Sequence, residues 1–250
     1  MAKQSGIIPI EGTIGNLTFV KTAEGYQVRA KGGVSRQRIM NAPAYARTRE
    51  NLAEFGMAGK GSKLLRSAFH EEVYQATDSR MTARMTKLLH QALKTDTVNP
   101  RGQRGLADAD LSILTGFEFN GRSTRETVFA GQVPLVIDKA AGTATLTLAP
   151  FIPEQSVKAP QGATHFRIVF AASEVDFATA GFQTGRTQTA LQPWDNEELT
   201  PTPLTCSIPE DGALPVIAVM GILFYQEVNG AASPLNNGAY NTMSVLRVEQ

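Results

Sequence analysis

Apolar and polar residues along this chain change their rhythm near residue 105. Before that point, Ile7, Ile8 and Ile10 surround Pro9 without helical spacing, which predicts an extended arm over residues 1–12. Leu17 and Phe19 then alternate with polar neighbours, as do Tyr26 and Val28, and Gly25 can supply the positive φ of a four-residue connection, Thr22 to Gly25. That pattern predicts a β-hairpin, ended by Gly32-Gly33. Helical spacing follows. One helix is expected over 44–55 with Asn41 as its cap, and Gly56, Gly59 and Gly61 interrupt it. A second, over 62–76, places Leu64, Leu65, Ala68, Phe69 and Val73 on one stripe. A third starts after Thr77-Asp78, with Met81, Met85, Leu88, Leu89 and Ala92 on one face. Pro100 to Gly105 reads as a basic, glycine-rich linker.

Beyond about Leu111 the period falls to two. Strands are expected over 126–130, 133–138, 143–148, 164–172, 216–228 and 240–248, with Phe166, Ile168 and Phe170 on one face and a bulge at Gly221. Many short strands between Gly and Pro turns predict an antiparallel β-sandwich, Ig-like in general type. The fold class is therefore α+β: an arm, hairpin and helices over residues 1–104, then a β-sandwich domain over 105–250.

Charge sharpens this division. Residues 1–104 carry 17 Lys/Arg and 8 Asp/Glu, a net +9, whereas residues 105–250 carry 7 and 15, a net −8. Such asymmetry fits nucleic acid, an acidic surface, or a second copy presenting its opposite end. The single cysteine, Cys206, excludes an internal disulfide framework. The first ten residues hold one charge and no signal-peptide apolar run, and no stretch approaches the ~20 apolar residues of a membrane span. A soluble protein made in the cytoplasm is expected, with signal-independent export or a virion location left open.

Candidate chemistry is sparse. Gly56-Met-Ala-Gly-Lys-Gly-Ser62 has Glu54 where a phosphate loop needs glycine and Gly61 where it needs Ser or Thr, so it reads as a run of small residues for close approach. His70, His90 and His165 lack metal-ligand spacing, and Cys206 has no local basic partner to activate it. Glu174 and Asp176 share a strand face with nothing beside them to complete an acid–base or calcium site. Trp194, Tyr225 and Tyr240 are single aromatics that a sugar-binding module would need clustered. No catalytic residue, cofactor or metal is expected.

The basic cluster has more substance. Arg29, Lys31, Arg36, Arg38, Arg47, Arg49, Lys60, Lys63 and Arg66 crowd into 38 residues. Arginine forks suit phosphate and carboxylate alike, so nucleic acid and an acidic protein face are both expected partners. Gly56-Met-Ala-Gly59, set between two predicted helices, also matches the bare G-x-x-G of KH domains. The runs 12–19, 25–35, 46–51 and 54–56, with Phe224-Tyr-Gln-Glu-Val-Asn-Gly230 and Asn237-Gly-Ala-Tyr-Asn241, resemble an uncharacterised family of hypothetical Bacteroidota proteins. The resemblance implies no activity, only that both halves form one unit. The leading expectation is a non-enzymatic structural protein that assembles head-to-tail with other copies of itself, using Ile7, Ile8, Ile10 and the basic cluster. Nucleic-acid binding is the alternative.

Overall fold

A computed structural model of the chain describes residues 2–3, 10–76 and 78–250. It divides into two compact units, Met1–Arg49 and Glu50–Gln250.

The N-terminal unit is one four-stranded antiparallel sheet and a short helix. Strands β1 (Ala2–Lys3), β2 (Gly12–Ile14), β3 (Leu17–Thr22) and β4 (Gly25–Ala30) run in the order β1-β4-β3-β2. The expected hairpin is β3–β4. The connection is two residues rather than four: Thr22 pairs with Gly25, so Ala23 and Glu24 make the turn, and Gly25 takes φ +105°. Helix α1 (Arg36–Asn41) follows, with the Ser35 hydroxyl accepting from the Arg38 amide at 3.3 Å. Asn41 is the last residue of this helix rather than the cap of the next, whose first turn starts at Pro43 after Ala42 with no side-chain cap. No described residue from Ile10 to Arg49 is buried.

Helix α2 (Ala46–Ala68) starts in the last residues of the N-terminal unit and runs on into the C-terminal unit, where α3 (His70–Gln75) and α4 (Met81–Ala92) follow before the strands. Gly56, Gly59 and Gly61 do not interrupt α2, against the sequence expectation. A glycine costs a helix only about 1 kcal/mol relative to alanine, and tertiary burial of Ala58, Leu64, Leu65 and Ala68 outweighs that. The break falls instead at Phe69, whose φ of −107° and ψ of 39° separate α2 from α3.

The larger sheet holds six strands: β7 (His165–Asp176), β8 (Gly181–Gln188), β9 (Gln192–Pro193), β11 (Val216–Val228), β12 (Ala231–Pro234) and β13 (Thr242–Glu249). Its backbone order is β12-β11-β7-β8, with β13 also on β11 and β9 on β7. The central strands are buried on both faces, so their sequence is nearly continuous in apolar residues. On β7 and β11, Val169, Ala171, Val175, Ile217, Val219 and Leu223 meet Leu65, Met85 and Leu89 of the helices in a first core. The alternate set Phe166, Ile168, Phe170, Ala218, Met220, Ile222 and Phe224 faces a second core. Across it lies a three-stranded sheet in the order β10-β6-β5, from β5 (Leu135–Asp138), β6 (Thr143–Leu146) and β10 (Leu204–Ser207). Leu146, Leu204 and Cys206 face that core. Every described strand pairing is antiparallel, and β10 lies against β8, so the two sheets of the C-terminal unit curl into a half-barrel. Gly185 makes this possible: a Cβ there would fall on the Ser207 carbonyl oxygen.

Three local expectations are corrected. Residues 126–130 were expected as a strand, but Arg125–Val128 is a single helical turn, α5, because a four-residue turn needs no periodicity. The bulge is not at Gly221: the register shifts where Ala218 and Val219 face Arg247 and Val245, leaving Leu246 as the extra residue. Gly221 is needed for space, since a Cβ would lie 2.5 Å from the Thr242 carbonyl. The supposed linker is folded: Asp96 accepts from the Val98, Asn99 and Gly105 amides at 2.8, 3.0 and 2.9 Å. Those bonds, the Asn99 amide first, hold its carboxyl down at about 2. The charge division near residue 105 therefore falls inside the first core, between Leu93 and Leu106.

Candidate interaction surfaces

The structure distributes the basic cluster over both units. Arg29, Lys31, Arg36, Arg38, Arg47 and Arg49 belong to the N-terminal unit; Lys60, Lys63 and Arg66 lie on α2 in the C-terminal unit. Arg29, Lys31, Arg36 and Arg38 are exposed, as are Lys60 and Lys63. Arg49 is structural: one guanidinium nitrogen donates to the carbonyls of Ile39 at 2.8 Å and Ala42 at 2.9 Å. Arg66 is half-buried and bonds its own helix at the Ser62 carbonyl. Ile10 is exposed, whereas Ile7 and Ile8 lie outside the described residues. Residues 1–49 carry 8 Lys/Arg against 2 Asp/Glu, a net +6, and residues 50–250 carry 16 against 21, a net −5.

The G-x-x-G reading is overturned. Gly56 and Gly59 sit inside continuous α2, where no loop presents backbone to a nucleotide. Only Gly61 serves close packing, its open side filled by Leu106. Cys206 is buried, and burial pushes its thiol up to about 11, which disfavours the thiolate form. Asp176 accepts from the Thr179 hydroxyl and from the Thr179 and Ala178 amides, which lowers its pKa and makes it a turn former. His90 packs edge-on to Phe55, and His165 bonds Thr164 and Glu227. Among the described residues no three His, Cys, Asp or Glu side chains come together to hold a metal. Trp194 donates to the Val157 carbonyl, Arg167 covers Tyr225, and Tyr240 stands exposed, so the aromatics do not form a platform.

A cleft that sequence reasoning missed lies between the edges of the two sheets. The segment 116–119 runs beside β13, where the Gly116 and Phe119 amides donate to the Val245 and Met243 carbonyls and the Val245 amide to Phe117. Phe117 and Phe119 thereby enter the first core, and Glu118 points the other way. Its Oε1 accepts from the Arg125 amide at 3.1 Å, while its Oε2 is buried without a hydrogen-bond partner. Burial pushes the Glu118 carboxyl up to about 7, against the Arg125 amide, the Ser244 hydroxyl and the Arg125 charge. The cleft encloses about 560 Å³ between Glu118, Arg125, Ser244 to Arg247, Val133 and Leu135. The Phe-Glu-Phe alternation was its one trace in the sequence.

No protein-family model matches the chain, and neither a curated protein nor a solved structure resembles it significantly. Among the described residues no helix is long and apolar enough to cross a membrane.

Proposed function

We propose that this chain is a non-enzymatic structural protein that assembles head-to-tail with copies of itself, as a filament, tube or ring. The observation that carries this reading is the N-terminal unit, which builds a four-stranded sheet and a helix yet buries no described residue from Ile10 to Arg49. A sheet of that size needs an apolar face covered to be stable. Here Ile10, Ile14, Leu17, Val34 and Met40 stay exposed. Opposite net charges on the two units favour contact between unlike surfaces, which closes into rings or propagates as filaments. The two sheets enclosing the second core support an open sandwich of Ig-like general type as the acidic partner. Light scattering on size-exclusion fractions tests the reading: mass should rise with protein concentration at low salt and fall with added salt. A single chain's mass throughout rejects it.

The exposed Arg29, Lys31, Arg36 and Arg38 favour nucleic-acid binding as a second reading. A gel-shift titration separates the two, since nucleic-acid affinity must fall steeply with salt while the free protein stays monomeric.

A further inference from the structure

The second core is incompletely closed, and its open side runs between β5 and β13. Val133, Leu135, Ile137 and Leu246 pack against that core but are only partly buried. All are in or beside the two bordering strands, and Val133, Leu135 and Leu246 also line the 560 Å³ cleft. Among the described residues, strand β5 is the edge of its sheet and pairs with β6 alone. The outer side of β13 is occupied by 116–119 opposite Met243 to Val245, so β5 offers the longer free edge. An unpaired edge beside half-covered apolar residues is a template for an added strand.

The chain also holds a strand with the complementary need. Among the described residues, strand β2 is an edge of the N-terminal sheet and pairs with β3 alone. Ile10 lies two residues before β2 and Ile14 ends that strand, with Gly12 at φ +126° between them. They are 42% and 61% exposed, too much for residues with a core of their own. The strand belongs to the unit with net charge +6, and β5 to the unit with −5.

We propose that β2 of one copy adds to the edge of β5 in the next, setting Ile14 over Val133, Leu135 and Leu246. The partner is a second copy of this chain, and the inference rests on the self-assembly reading above. The contact is heterologous: each copy gives one strand and receives one, so it repeats around a ring or along a filament.

The test uses the full chain in a Cys206→Ala background, which leaves no native thiol. Thr13→Cys on β2 and Val136→Cys on β5 alter exposed positions in single chains. The two variants are mixed, treated with a short thiol crosslinker, and compared with a mixture of Thr13→Cys and Gln183→Cys, whose cysteine sits on β8. The Thr13–Val136 mixture should give at least about tenfold more heterodimer. Separately, Ile14→Lys should weaken assembly by about tenfold or more, because a lysine ammonium cannot be buried over the second core without partner or water. Equal crosslinking in both mixtures, with mass growth retained, overturns the β2–β5 contact and leaves self-assembly standing. Unchanged assembly of Ile14→Lys overturns it likewise. A monomer at every concentration removes both claims.

Discussion

Arg186 on β8 holds Glu72 of α3, its Nε lying 3.0 Å from Glu72 Oε1. The same guanidinium donates to the Ala68 carbonyl at 2.8 Å, where Thr184 also donates at 3.0 Å. Ala68 ends α2, so these bonds tie the helix break to the sheet and satisfy a carbonyl that the helix itself leaves open. Burial raises the Glu72 carboxyl even with Arg186 beside it.

Arg186→Met removes the cation that pairs with buried Glu72 and should cost about 3 kcal/mol near neutral pH. With the arginine gone, burial raises the Glu72 pKa further, so the folded state takes up a proton that the unfolded state does not. The loss should therefore be smaller at pH 5 than at pH 8. Guanidinium melts of the variant at both pH values check this; an equal loss at both would exclude Glu72 as its source.

Glu118 gives a second pH signature. Its folded pKa of about 7 exceeds the ordinary 4.5, so the folded chain binds a proton through that window and loses stability as pH rises through it. Full ionisation should cost on the order of 3 kcal/mol. Glu118→Gln keeps the acceptor for the Arg125 amide but cannot ionise. Thermal melts between pH 5 and 8 should fall for the natural chain relative to the variant, and parallel curves would contradict this.

Packing of the two sheets is tested at Gly185. Its added methyl in Gly185→Ala would strike the Ser207 backbone, which cannot swing away, and should cost about 2–3 kcal/mol. Gly212→Ala also meets an atom at too short a distance, but that atom ends the flexible Glu174 side chain, so its cost should be smaller. Chemical denaturation of both variants decides the order.

How much of this was written in the sequence follows from the range of each interaction. The β3–β4 hairpin and strands β7 and β11 were legible because alternation and turn residues act within a few positions. Continuity of α2 through three glycines was not, since burial of Ala58 and Leu65 against distant strands decides it. The charge split was legible, but its apparent border at residue 105 dissolved once Leu93 and Leu106 proved to share a core. The Glu118 cleft was hidden because it exists only where β13 curls toward β5, strands more than 100 residues apart in the chain.

All buried residues described in the chain lie between Glu54 and Val245. Removing residues 1–49 should therefore leave a cooperatively folded unit, with its melting temperature within a few degrees of the full chain's monomer. Loss of cooperative unfolding would show that the N-terminal unit contributes to the core.

Sedimentation velocity of the full chain beside the 50–250 truncation tests self-assembly most directly. The full chain should shift to faster-sedimenting species as concentration rises at low ionic strength, and partly return when salt screens the unlike charges. The truncation should stay a monomer throughout. A full chain that sediments as one 26.9 kDa species at every concentration and salt would contradict the account.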